Sequence, residues 1–169
     1  MKEVLILGNG TTRLDLKEEI ASYECPIWVC NHAYREKLKN DRIELVATVH
    51  EEVVVKAKEF RKSLGSGAFS IITKKRFNDL LEENDLNFSI EMGWSSGNLL
   101  ILHALNLGYD KIYLAGFDFG GSDIYQLTSR PGGNFKKQYE EIVNEIFPKK
   151  KDSLIFLEKG MFYEKGVEV

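Results

Sequence analysis

Residues 3–21, EVLILGNGTTRLDLKEEIA, decide the fold. EVLILG (3–8) is a continuous apolar run, as expected of a strand buried on both faces. Gly8-Asn9-Gly10 breaks the run. TTRLDLKEEIA then reads as a short helix, with Asp15 as its cap and Glu18 completing a capping box three residues later. Strand, glycine turn and helix form one β–turn–α unit, and the unit recurs along the chain.

PIWVCN (26–31) predicts the second strand and HAYREKLKN (32–40) a helical segment. IELVATVH (43–50), rich in β-branched residues, predicts the third strand. EEVVVKAKEFRKSL (51–64) follows as a helix with an acidic first turn and a basic last turn, broken by GSG at 65–67. AFSIITK (68–74) predicts a strand and KRFNDLLEEN (75–84) a short helix, while 85–94 carry no clear pattern. SSGNLLILHALNLG (95–108) is the strongest helix signal, with Ser95 or Ser96 as cap and Gly108 at its C′ end. Its middle is apolar almost all round, which predicts burial.

KIYLAGFDF (111–119) predicts a further strand, and 120–134 form a glycine-bearing loop of the length at which loops tend to be functional. NFKKQYEEIVNEIF (134–147) predicts an amphipathic helix stopped by Pro148, SLIFLE (153–158) a last strand, and MFYEKGVEV (161–169) a short edge strand. The alternation implies an α/β protein: a single Rossmann-like three-layer α/β/α sandwich with a mostly parallel sheet, one domain over 1–169.

Composition bounds the function. Hydrophobic residues make up 43% and charged residues 29%, ordinary for a globular protein. A net charge of −3 gives no electrostatic reason to expect a nucleic-acid partner. No membrane segment and no signal peptide are read in the chain, so the expected location is the cytoplasm. Cys25 and Cys30 have no zinc-type or redox spacing and read as small buried residues; no metal site is expected. The oligomeric state is not legible.

In such folds ligands bind beyond the C-terminal ends of the strands, where the strand order switches. The residues there are Gly8, Asn9 and Gly10; Asn31 and His32; His50, Glu51 and Glu52; and Asp118, Gly120 and Gly121. The long helix adds Ser95, Ser96 and Gly97 at its start. Glycines admit close backbone approach, a helix start offers free N–H groups, and Asn side chains pair donor with acceptor. The set fits a nucleotide or nucleotide-sugar ligand. GNGTTR is not the dinucleotide fingerprint, because Arg13 stands where its third glycine would be. His103 reads as a core residue, and His50 is the best-placed candidate general base.

LILGNGTTRLDL (5–16), VCNHAYRE (29–36) and SSGNLLILHALNLGYDKIYLAGFDF (95–119), in this order, resemble the bacterial sialyltransferase family. That family includes the Campylobacter lipooligosaccharide sialyltransferases and phage-encoded relatives. The resemblance implies a glycosyltransferase that holds a CMP-activated sugar with no metal or other cofactor. By it, Gly8, Asn9 and Gly10 contact the nucleotide phosphate or ribose, and Asn31 faces phosphate or sugar. Ser95, Ser96 and Gly97 hold the sugar end, Asp118 supports the pocket, and Tyr125 matches a family tyrosine.

The chain also departs from the pattern. The family's catalytic histidine follows the Gly-x-Asp-Phe strand, and no histidine follows His103 here. Gly120 replaces a tyrosine and Gly93 an arginine. His50 or Asp118 would have to act as base, or the protein binds its ligand without turnover. A weaker resemblance is to the archaeal-type pterin pyrophosphokinase domain, with His50, Glu51 and Glu52 at its metal position and Mg²⁺ and ATP as partners.

Overall fold

Val4 and Ile6 face one side of the central sheet and Leu5 and Leu7 the other, and all four are fully buried. That is the two-sided burial which a continuous apolar strand demands. The computed structural model describes residues 1–36, 42–65, 68–119, 121–122, 124–125, 129–130 and 133–157. Its strands are β1 (Glu3–Leu7), β2 (Ile27–Cys30), β3 (Ile43–Ala47), β4 (Ser70–Thr73), β5 (Leu86–Asn87) and β6 (Lys111–Ala115). A separate antiparallel pair, β7 (Gly121–Ser122) and β8 (Ser129–Arg130), precedes β9 (Leu154–Phe156). The main sheet has seven strands in the order β5-β4-β3-β2-β1-β6-β9. Every neighbouring pair in it is parallel.

Helices α1 (Lys17–Ser22) and α2 (Glu51–Leu64) cover the face of Leu5 and Leu7, through Ile20, Val53, Val54 and Ala57. Helix α3 (Ser96–Asn106) covers the opposite face with α4 (Gly133–Glu141), burying Leu99 to Leu102 and Tyr139 against Val4, Ile6 and Leu114. The architecture is therefore the expected three-layer Rossmann-like α/β fold. No helix among the described residues is long and apolar enough to cross a membrane.

Several local expectations are corrected. Residues 85–94, without a readable pattern, contain the edge strand β5. It is secured by polar contacts: the Asp85 carboxylate accepts from Ile71 N at 2.8 Å, Glu82 N at 2.9 Å and Arg61 Nη2 at 3.0 Å. Hydrophobic periodicity cannot reveal such an anchor. The segments after β2 and β4 are 3-10 turns (Asn31–Arg35 and Lys75–Leu80).

Asp15 does not cap α1, whose first turn follows a 3-10 turn over Thr11–Leu16 and has no side-chain cap. Helix α4 widens into a π-helical turn at Ile142–Ile146. Phe147 then leaves the helix, at φ −128° and ψ 60°, outside the α region that the ring of Pro148 disfavours for the residue before it. Residues 37–41 and 66–67, Gly120 and residues 123, 126–128 and 131–132 of the expected loop, and the expected strand at 161–169 lie outside the described residues.

His103 is a core residue as expected, 5% exposed. Its Nδ1 accepts from the Ser89 hydroxyl and from Ser89 N–H, and burial pulls its pKa down. Cys30 is buried and Cys25 half-buried, and the two do not form a disulfide.

Candidate ligand-binding site

The chain builds the sheet outward from β1 to β5, then returns along α3 to lay β6 beside β1 on its other side. The order switches between β1 and β6, and the crevice outside their carboxyl ends is where such a fold binds ligands. The two strand ends cross at backbone contact distance. Gly8 N–H donates to Ala115 O at 2.8 Å and Gly10 N–H to Gly116 O at 2.9 Å. A Cβ on Gly8 would lie 2.5 Å from Gly116 O, and one on Gly116, at φ +77°, would lie 2.4 Å from Gly8 O. Neither strand end tolerates a side chain on this inner side.

Asp118, just past β6, reaches across to the β1 turn. It is 6% exposed, and its carboxylate accepts from the Thr12 hydroxyl and from Thr12 N–H at 3.3 Å. The contact supplies the acceptor that a side-chain cap would otherwise give the Thr11–Leu16 turn, and Gly10 has no room for a Cβ against it.

Beneath the turn lies a buried ionic cluster. Arg13 is 4% exposed, and its Nε donates to Gly8 O at 2.6 Å. Its two Nη atoms grip Glu36 at 2.7 and 2.6 Å. The Tyr125 hydroxyl donates to the same carboxylate. Burial opposes the charge on Glu36, but the Arg13 guanidinium outweighs it and holds the carboxyl below its usual range. Burial and the adjacent Glu36 carboxylate push the Tyr125 hydroxyl up.

Asn9 completes the turn. Its Nδ2 donates to Cys30 O at 3.0 Å, and its Oδ1 accepts from Arg13 Nη2 at 3.4 Å. Its carbonyl accepts from Ile124 N–H at 2.8 Å. Asn31 follows β2 with a left-handed φ of +51°, and its Oδ1 accepts from the Thr48 hydroxyl at 2.8 Å. Opposite stands the start of α3. Ser95 is the N-cap, its hydroxyl accepting from Asn98 N–H at 3.4 Å. The first-turn N–H groups of Ser96 and Gly97 have no acceptor inside the helix, which makes this end suited to an anion. The Ser96 hydroxyl is buried with no hydrogen bond among the described residues.

These pieces enclose an open-sided cleft. It is lined by Gly8, Asn9 and Gly10 with Asp118 against them, by Asn31, and by Ser95, Ser96 and Gly97 at the start of α3. The structure thus brings together Gly8, Asn9, Gly10, Asn31, Ser95, Ser96, Gly97 and Asp118. His32, His50, Glu51, Glu52 and Gly121, also singled out at strand ends, are not among the described residues that line the cleft, and nor is Tyr125. His50, exposed at the start of α2, lies in a separate shallow concavity with Arg76 and Phe77. Tyr125 packs beneath the turn, its ring 6.3 Å from that of His32, and does not line the cleft.

Sequence reasoning missed Asn98 and the aromatic rings of Phe117, Phe119 and Phe135, which also line the cleft. A lone Asn inside the apolar run SSGNLLIL was the available signal for the first. Phe119 carries a positive φ of 53°, which no local pattern announces. Asp118 is the one carboxylate in the cleft among the described residues, and no Lys, Arg or His among them lines it. Among the described residues no group of three His, Cys, Asp or Glu side chains is placed to hold a metal ion.

The architecture defines a Rossmann-like α/β protein with a cleft, a candidate ligand site, at its topological switch point. Among solved structures the chain is similar to the alpha-2,3/8-sialyltransferase CstII in a mutant form. The TM-score is 0.63 at 17% identity, over 99% of this chain and 86% of that one. It is likewise similar to the sialyltransferase CstII from Campylobacter jejuni in complex with a substrate analogue, cytidine-5'-monophosphate. There the TM-score is 0.60 at 19% identity, over 100% of this chain and 85% of that one. At these identities the likeness is one of fold. No family model matches the sequence, and no curated protein matches it.

Proposed function

We propose that the chain is a sialyltransferase-like protein that binds a nucleotide sugar, CMP-linked, in the cleft between the β1 turn and α3. The observation that carries this reading is the start of α3: two N–H groups open to an anion, beside a buried Ser96 hydroxyl without a hydrogen bond among the described residues, at the switch point of the sheet. The phosphate sits at the Ser96 and Gly97 N–H groups. The β1 turn and Asn31 hold the nucleoside side, and Asp118 keeps the turn in place through Thr12. The complex of the similar fold with cytidine-5'-monophosphate supports the choice of nucleotide.

A second reading is favoured by the cleft's acid–base content. Its one carboxylate among the described residues, Asp118, is engaged by Thr12, and His50 lies elsewhere. On this reading the protein binds the donor without transferring the sugar. Glycosyl transfer needs a base for the acceptor hydroxyl and stabilisation of the departing phosphate.

Thermal unfolding with added ligands separates the readings, because a ligand that binds only the folded state raises the midpoint. CMP is expected to raise it and ATP with Mg²⁺ to leave it unchanged. The opposite pattern would favour the pyrophosphokinase alternative. CMP release from a CMP-linked sugar in the presence of acceptor glycans then distinguishes transfer from binding alone.

A further inference from the structure

Asn98 lies in the first turn of α3, 2% exposed, and lines the cleft. Its Nδ2 faces Ser95 Oγ at 3.2 Å, Phe135 O at 3.1 Å and Gln138 Oε1 at 3.1 Å. Phe135 O is a main-chain carbonyl and can only accept, so the amide nitrogen must be on that side. The orientation of the amide is thereby fixed, and its oxygen points the other way. Oδ1 is buried there with no hydrogen bond among the described residues.

A buried carbonyl oxygen without a donor carries its full desolvation cost in the empty protein. Native structures leave few such atoms, and one on a residue that lines a cleft points to a ligand group that satisfies it. The surroundings restrict what that ligand group is. The α3 N–H groups are donors and meet an anion; Oδ1 is an acceptor and repels one. No Lys, Arg or His among the described residues lines the cleft to offset an acidic group beside it.

We propose that Asn98 Oδ1 accepts a hydrogen bond from a hydroxyl or N–H of the bound ligand. The cleft then selects ligands that carry a donor at this point over matched ligands that lack it. The proposal rests on the nucleotide-sugar reading for its choice of first probe.

The test is a cycle between protein and ligand by isothermal titration. CMP and analogues each lacking one donor (2′-deoxy, 3′-deoxy, N4-dimethyl) are titrated into the wild-type protein and Asn98→Ala. Galactose and its monodeoxy derivatives form a neutral-sugar arm. One analogue is expected to bind the wild type about tenfold more weakly than its parent, and no more weakly than its parent in Asn98→Ala.

Gln138→Ala removes an Nδ2 partner on α4 but leaves Oδ1 in place, so it must keep the wild-type discrimination. If Asn98→Ala does not fold, the near-isosteric Asn98→Leu carries the test: it fills the same volume without an acceptor, and the same loss of discrimination is expected. Equal parent-to-analogue ratios in the wild type and the Asn98 variants, for every ligand, overturn the proposal. CMP binding without coupling to Asn98 overturns it and leaves the nucleotide reading standing. Sugars coupled to Asn98 without CMP binding uphold it and overturn the nucleotide reading.

Discussion

Gly116→Ala is expected to destabilise the protein by about 4 kcal/mol, at the upper end of what single substitutions cost. Two effects add. An alanine at φ +77° is strained by itself. Its methyl would also lie 2.4 Å from the carbonyl oxygen of Gly8, a backbone atom that cannot swing aside. Relief would require parting the ends of β1 and β6, and with them the hydrogen bond from Gly10 N–H to Gly116 O. Gly93→Ala is the control: nothing lies within 4 Å of the place its methyl would take, so its effect is expected within about 0.5 kcal/mol. Urea unfolding measures both. A Gly116→Ala protein as stable as the control would mean that the strand ends do not cross as described.

The second large effect is expected at Arg13. Removing one partner of a buried ion pair leaves the other charged and unpaired, at about 3–5 kcal/mol when burial is complete. The Glu36 side chain keeps 25% of its exposure against 5% for Arg13, so Arg13→Met is expected near the lower bound, about 3 kcal/mol. The double variant Arg13→Met with Glu36→Leu, which leaves no lone charge, is expected to recover more than half of that loss. Additive losses would contradict the pairing.

The pair also sets an acid dependence. Burial opposes the Glu36 charge, but Arg13 prevails and lowers the folded-state pKa below the unfolded one. The resulting stability is present above the unfolded value, about pH 4.3, and is lost as pH falls through the lowered folded value. Glu36→Gln removes this contribution, so its stability must fall less steeply than the wild type's below about pH 4.3. Parallel acid profiles would show that Glu36 is not held by Arg13.

Much of the fold is legible in the sequence because its strands are apolar runs separated by helices. EVLIL, IWVC and KIYLA could only be buried on both faces, and the SSG start and Gly108 end bound α3. Two of the failures, the edge strand β5 and the cap of the Thr11 turn, come from long-range polar contacts. The edge strand β5 is held by Asp85 and Arg61, which are distant in sequence from its partner residues. The cap of the Thr11 turn is a carboxylate from beyond β6 rather than Asp15.

The site divides in the same way. Gly8, Asn9, Gly10, Asn31, Ser95–Gly97 and Asp118 converge because a parallel sheet aligns its strand ends. In the sequence Arg13 stands out only as a missing glycine, whereas in the fold it is the anchor beneath the turn, joining Gly8, Asn9 and Glu36. Tyr125 binds that anchor from the opposite side. Asn9, a natural candidate to touch a ligand, spends both ends of its amide on Cys30 and Arg13, so its side chain shapes the turn.

Chemical-shift mapping with CMP tests the central claim most directly, because it reports both binding and place. On titration, the backbone amides of Gly8–Gly10, Asn31, Ser95–Asn98 and Phe117–Phe119 are expected to shift together and to saturate. Ser96 and Gly97 should move most, since their N–H groups meet the phosphate. Unchanged shifts at these amides, or changes centred instead on His50, Glu51 and Arg76, would contradict the account.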